Sequence, residues 1–170
     1  MKATFVIVLS VIGCLNAGAQ ESRYTSTARA ESVSFEEYRG DGPRGFRAVF
    51  QGLGGYQLEL LDGDDRSWIN LIYRGETVDL QSETMAAGPG LFTNKANDVV
   101  EWRGLRHGDH FVPYAIIYRR SGLTKDDGHT CETNLVVIKL DGERSEVIGH
   151  AEGTDQEAKA HAIADQVRPR

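Results

Sequence analysis

Cysteine is almost absent from this sequence. Cys14 and Cys131 are the only two in 170 residues and form no Cys-x-x-Cys pair, so neither a disulfide framework nor a dithiol redox motif is available. Proline is scarce too, with four against nineteen glycines, so turns must be made mainly by Gly, Asn and Asp. No apolar run is long enough to span a bilayer; the most apolar stretch, Phe5 to Ile12 (FVIVLSVI), covers eight positions. An excess of positive charge is also missing. Asp and Glu outnumber Lys and Arg by 25 to 19, for a net −6, which argues against nucleic acid or anionic lipid as a partner. The sequence has no G-x-S-x-G elbow and no H-E-x-x-H. Its glycine cluster, Gly52 to Gly55, precedes a strand pattern and lacks the Lys-Ser/Thr of a phosphate loop. No cofactor and no resident metal are implied, and the residues point to no enzyme.

What is present begins with an export signal. Lys2, the apolar run and the small residues Ala17-Gly18-Ala19 have the order of a cleavable signal peptide over residues 1–19. The expected destination is the periplasm or the exterior, with no integral membrane segment after cleavage. Val11-Ile12-Gly13-Cys14 offers an alternative, a lipid anchor through Cys14. Cleavage behind Ala19 removes Lys2 and no acid, taking the net charge to −7. Cys131 is then alone, so stability must come from the core.

Residues 20–32 are polar and read as a flexible arm. A single β-rich domain is expected from residue 33 to 170. Val33 to Glu37 is a first short strand. Phe46, Ala48 and Phe50 alternate with polar neighbours, as do Tyr56, Leu58 and Leu60, and Ser67 to Tyr73 follows after Asp62-Gly63-Asp64-Asp65. Period-two alternation buries one face, so these runs form a three-stranded meander. Val78 to Leu80 adds a short piece, and Ala86 to Gly90 reads as a loop. Val99 to Arg103 puts Val100 and Trp102 on one face and Glu101 and Arg103 on the other. Phe111 to Arg120 is apolar on both faces, as a central strand is, and its Tyr114, Ile116 and Tyr118 read as one core stripe. Leu135 to Leu140 and Glu146 to His150 flank Asp141-Gly142, a hairpin signal. The period then changes. Thr154 and Glu157 have capping-box spacing, and Ala160, Ile163 and Val167 form a helical stripe, predicting a helix over 154–168. The expected fold is α+β, mainly β: an antiparallel sheet or small barrel of about six to eight strands with one C-terminal helix.

Several of these pieces occur together in a known family. Tyr24-Thr25-Ser26, Gly52-Leu53-Gly54-Gly55-Tyr56, Asp64-Asp65-Arg66, Glu101-Trp102-Arg103, Pro113 to Arg119 (PYAIIYR) and Ala162-Ile163-Ala164-Asp165 resemble the uncharacterised small exported proteins of rhizobial-type alphaproteobacteria. The resemblance implies a periplasmic domain and assigns no catalytic residue. Members often carry cysteines near the positions of Ser32 and Phe50, and this chain has neither.

The patch richest in chemistry is His107-Gly108-Asp109-His110. Two histidines without a third ligand hold a divalent ion weakly. His129 and Cys131 follow the next strand, whose ten residues separate its ends by about 33 Å, so a four-ligand zinc set is not expected. Asp62, Asp64 and Asp65 lack the distal Glu of a calcium loop and read as turn residues. Glu101 and Arg103, on one strand face, are an ion pair or a polar binding patch. The candidate binding residues are therefore Glu101, Arg103, His107, Asp109 and His110, with no catalytic residue among them. They suit an exported binding or interaction domain for an envelope or extracellular protein or a small ligand. One alternative is an inhibitor of lysozyme or another envelope-directed enzyme, since a small acidic domain suits a basic target. Another is a weak metal-binding protein or hydrolase working through the His107–His110 loop.

Overall fold

The structure is a computed structural model that describes residues 18–38, 44–87, 95–123 and 131–169. The signal-peptide and lipid-anchor readings on residues 1–17 and the reading on His129 lie outside the described residues. Among the described residues the chain forms ten strands and two α-helices. They are β1 (Ala19–Ser26), β2 (Ser34–Tyr38), β3 (Gly45–Gln51), β4 (Tyr56–Gly63), β5 (Arg66–Tyr73), β6 (Glu76–Val78), α1 (Gln81–Ala86), β7 (Lys95–His107), β8 (His110–Leu123), β9 (Cys131–Lys139), β10 (Glu146–Glu152) and α2 (Gln156–Asp165). No helix among the described residues is long and apolar enough to cross a membrane.

The fold is mainly β and antiparallel, as expected, but it is neither one sheet of six to eight strands nor a barrel. Two open five-stranded sheets pack face to face, ordered β1-β7-β8-β9-β10 and β2-β3-β4-β5-β6. The physical reason is the middle layer. Ile116 and Tyr118 of β8 meet Phe50, Leu58 and Ile69 of the other sheet, while Ala115 and Ile117 meet Ala160 and Ala164 of α2. A sheet covered on both faces needs strands apolar on both, which is the pattern of β8.

The meander of β3, β4 and β5 is in register from Phe46↔Asp62 to Tyr56↔Tyr73. Its second turn is made by Asp64 and Asp65, at φ 51° and 58°, a left-handed pair that Asp tolerates and a tight hairpin needs. Trp102 is fully buried and its indole N–H donates to Thr25 Oγ1 at 2.8 Å. Gly52 lies against the Trp102 ring, where an added Cβ would sit 2.6 Å from it; no other residue fits there.

Three local expectations are corrected. Residues 20–26 are not a flexible arm: β1 pairs with β7 from Ala19↔Arg106 to Ser26↔Val99. Ala86, expected to open a loop to Gly90, whose residues 88–90 lie outside the described residues, instead ends α1, which closes one end of the sandwich. Its open carbonyl end is satisfied from elsewhere, by Arg120 Nη1 donating to the Thr84 carbonyl and Asn134 Nδ2 donating to the Ala87 carbonyl. The C-terminal helix is shorter than 154–168, and its N-cap Asp155 makes no side-chain cap bond. Glu157 pairs with Arg119 of β8 in place of closing a capping box.

Candidate functional site

Two polar regions flank the middle sheet. The first is a cleft between the sheets, at the end where β1 stops and β7 begins. Its floor comes from alternation: Phe46, Ala48 and Phe50 of β3 and Leu60 of β4 point inward, and Phe35 of β2 stacks on Phe46 with ring centroids 5.2 Å apart. Among the described residues, the facing sheet lines it with Lys95, Ala96 and Asp98 of β7, where the pairing of β7 with β8 breaks register between Ala96 and Val100. A small residue opposite large ones leaves space, and the cleft measures about 1200 Å³. That is ample for a small molecule.

The cleft has a charged rim. Lys95 Nζ bonds Asp62 at 2.5 Å, and Arg29 pairs with Glu37 at 3.4 Å while covering the Phe35 ring. Deeper in, the backbone N–H of Ala96 donates to Ser67 Oγ at 2.6 Å. Thr27 lines the same wall, only 2% exposed. Its backbone N–H donates to the Asp98 carbonyl, but its hydroxyl has no hydrogen-bond partner among the described residues. A buried hydroxyl without a partner costs about 1–3 kcal/mol.

The second region is the seam between the middle sheet and α2. A bulge in β8 builds it. Arg103 faces Ala115 while Gly104 faces Pro113, so Tyr114 is the extra residue and turns outward with Ala115. Tyr114 therefore leaves the stripe expected with Ile116 and Tyr118 and joins the helix side. Its hydroxyl donates to Asp165 at 2.8 Å. Arg103 Nη2 reaches both Asp165 oxygens at 2.9 and 3.0 Å, and Gln20 Nε2 donates to Asp165 at 2.6 Å. Burial would push the Asp165 carboxyl up, but the bonds from Gln20, Arg103 and Tyr114, with the Arg103 charge, outweigh it and hold the carboxyl below its ordinary value. Burial and the neighbouring Asp165 push the Tyr114 phenol up to about 12.

Glu101 and Arg103 do share a face, with 3.8 Å between Glu101 Oε1 and Arg103 Nη1. Both side chains are largely enclosed by β1 and α2. Glu101 is 6% exposed, accepting from Ser22 Oγ at 2.6 Å and lying 3.0 Å from His161 Nε2. Both are tethers between β1, β7 and α2. His107, Asp109 and His110 are exposed at the β7–β8 turn, about 20 Å along the strand from Glu101 at six residues. The five candidates thus form two separate groups. Sequence reasoning missed Thr27, Phe35, Glu157, His161 and Asp165. Only the Phe46/Ala48/Phe50 alternation hinted at the cleft, and it could not tell that the opposite wall would set the small Ala96 among polar side chains.

No family model, no curated protein and no solved structure matches the chain.

Proposed function

We propose that the chain is an exported, periplasmic binding domain that takes a small amphipathic ligand into the cleft between its sheets. The observation that carries this reading is the roomy cleft itself, floored by Phe35, Phe46, Phe50 and Leu60 and rimmed by the Lys95–Asp62 and Arg29–Glu37 pairs. An apolar ligand body would lie on Phe35, Phe46 and Phe50, and a polar group would meet the charged rim. The rim pairs would frame the entrance and fix orientation.

Anilinonaphthalene sulfonate, an amphipathic dye, tests the cleft by fluorescence titration of the folded protein. Wild-type protein should bind it, and Ala96→Trp, which fills the cleft from its small side, should lose binding while melting as a folded domain. Equal binding by a folded Ala96→Trp protein, or none by wild type, would overturn the reading. Thr27→Val should leave stability unchanged or slightly raised, since it removes an unpaired polar group, and should leave binding unchanged, because the hydroxyl is closed off from the cleft. Intact mass of the secreted protein tests export, with a chain starting at Gln20 as the expected product.

A further inference from the structure

The helix seam contains a group of side chains that its structural role does not use up. Glu157 and His161 are four residues apart in α2, so they stand one above the other on one helix face. That face meets β7 at Glu101. One donor atom from each of the three residues lies within 4.8 Å of the other two. We propose that Glu101, Glu157 and His161 form a site for one divalent transition-metal ion of the zinc class, on the opposite face of the middle sheet from the cleft.

Charge is the first argument. Glu101 is a buried carboxylate with a side chain 8% exposed, and a buried anion needs compensation. The nearest guanidinium is not its own. Arg103 is committed to Asp165 through two bonds at 2.9 and 3.0 Å and stands 3.8 Å from Glu101. The short contact of Glu101 with a nitrogen base is the one to His161 Nε2, at 3.0 Å. Two carboxylates and a neutral imidazole would balance a dication.

Geometry is the second. A tetrahedral ion with bonds of about 2.0–2.2 Å holds its ligand atoms roughly 3.4 Å apart. Glu101 and His161 already stand 3.0 Å apart and no two of the donors are more than 4.8 Å apart, so the group closes on an ion with shifts of about an ångström. Ser22 donates to Glu101 Oε1 at 2.6 Å and receives Arg103 Nη1 at 2.8 Å. That fixes the carboxylate from behind, as an outer-shell partner does. The opposing cations are Arg103, held by Asp165, and Arg119, which now pairs with Glu157. The Arg119–Glu157 pair is partly exposed, with side chains 29% and 58% accessible, and such pairs hold weakly. An ion can displace Arg119 without breaking the seam.

Ligand chemistry sets the class. One imidazole nitrogen with two carboxylates suits zinc and its neighbours, whereas magnesium and calcium take oxygen alone. Three protein ligands leave a fourth position for water.

The test uses zinc chloride with the folded chain, by isothermal titration and thermal melts. One zinc per chain is expected, with a melting temperature that rises as zinc is added, and no comparable response to magnesium chloride. Glu157→Gln sits on the surface and should keep the zinc-free melting temperature while weakening zinc binding by about tenfold or more. His161→Asn should weaken it as much, and if that variant fails to fold, Glu157→Gln decides alone. A double His107→Asn, His110→Asn variant should bind like wild type. Absence of stoichiometric zinc binding would overturn the proposal. So would binding that survives Glu157→Gln, or binding lost when the hairpin histidines are replaced.

Discussion

Between the two sheets lie Phe50, Leu58, Ile69, Trp102, Ile116 and Val136, all within 1% of complete burial, with Arg120, as fully buried, the charged exception at the α1 end. On the other face of the same middle sheet, Ala160 and Ala164 of α2, with Ile163 and Val167 beside them, pack on Leu105, Ala115, Ile117, Leu135 and Val137. Beside that cluster run Gln20, Ser22, Glu101, Arg103, Tyr114 and Asp165, joined by directed bonds of 2.6–3.1 Å. The difference separates two jobs. Apolar burial is strong and non-directional, so the first interface supplies most of the stability. The second has a smaller apolar cluster, and the hydrogen bonds beside it decide where along the sheet the helix sits.

That division can be broken most severely from the sheet side. Trp102→Ala removes the largest fully buried side chain and the cover over Gly52. It should cost about 3–5 kcal/mol in chemical denaturation. Asp165→Ala comes next, at about 1–3 kcal/mol, because Arg103, Tyr114 and Gln20 lose a shared acceptor. The deficit should depend on pH. The folded carboxyl lies below its ordinary value, so its stabilisation is present above the unfolded value of about 3.9 and is lost as pH falls through the depressed one. Wild type and variant should therefore converge in acid.

Tyr114→Phe should cost about 1–2 kcal/mol at neutral pH for the two lost bonds, to Asp165 and from Gln20. Its clearer signature lies in alkali. The wild-type phenol is raised to about 12, so above an unfolded value of about 10 the unfolded chain ionises first and wild-type stability falls with pH. The Phe variant should show a shallower fall, with some slope retained because burial also raises Tyr118. At the small end, His107→Ala with His110→Ala alters an exposed turn and should stay within about 0.5 kcal/mol of wild type.

Much of the sheet-to-sheet half was legible before any coordinates. Alternation at Phe46/Ala48/Phe50, the facing of Trp102 against Glu101 and the Asp64-Asp65 turn all follow from local chemistry. The helix half was less legible. β1 reads as a polar arm because its residues Gln20, Ser22 and Tyr24 lie on the helix side, where polar partners await them. It becomes a strand because the edge of β7 supplies its backbone partners. The capping-box spacing at Thr154 and Glu157 is present in sequence, but Arg119 competes for Glu157 across the sheet. The six-residue α1 has no cap bond at its N-cap Leu80 and is held by Arg120 and Asn134, 36 and 47 residues beyond their acceptors.

By itself the sequence determined which residues alternate, which turns are tight and which face of β7 is apolar, since these depend on neighbours within a few positions. The tertiary structure alone decided that the strands divide into two sheets with one sandwiched in the middle, because periodicity names a buried face without naming what covers it. It also decided the candidate sites. The cleft exists because Ala96 faces three phenylalanines across the sandwich, and the Glu101/Glu157/His161 group exists because a helix more than fifty residues downstream of Glu101 lands beside β7. Both are meetings of distant segments, set by packing geometry that no local pattern encodes.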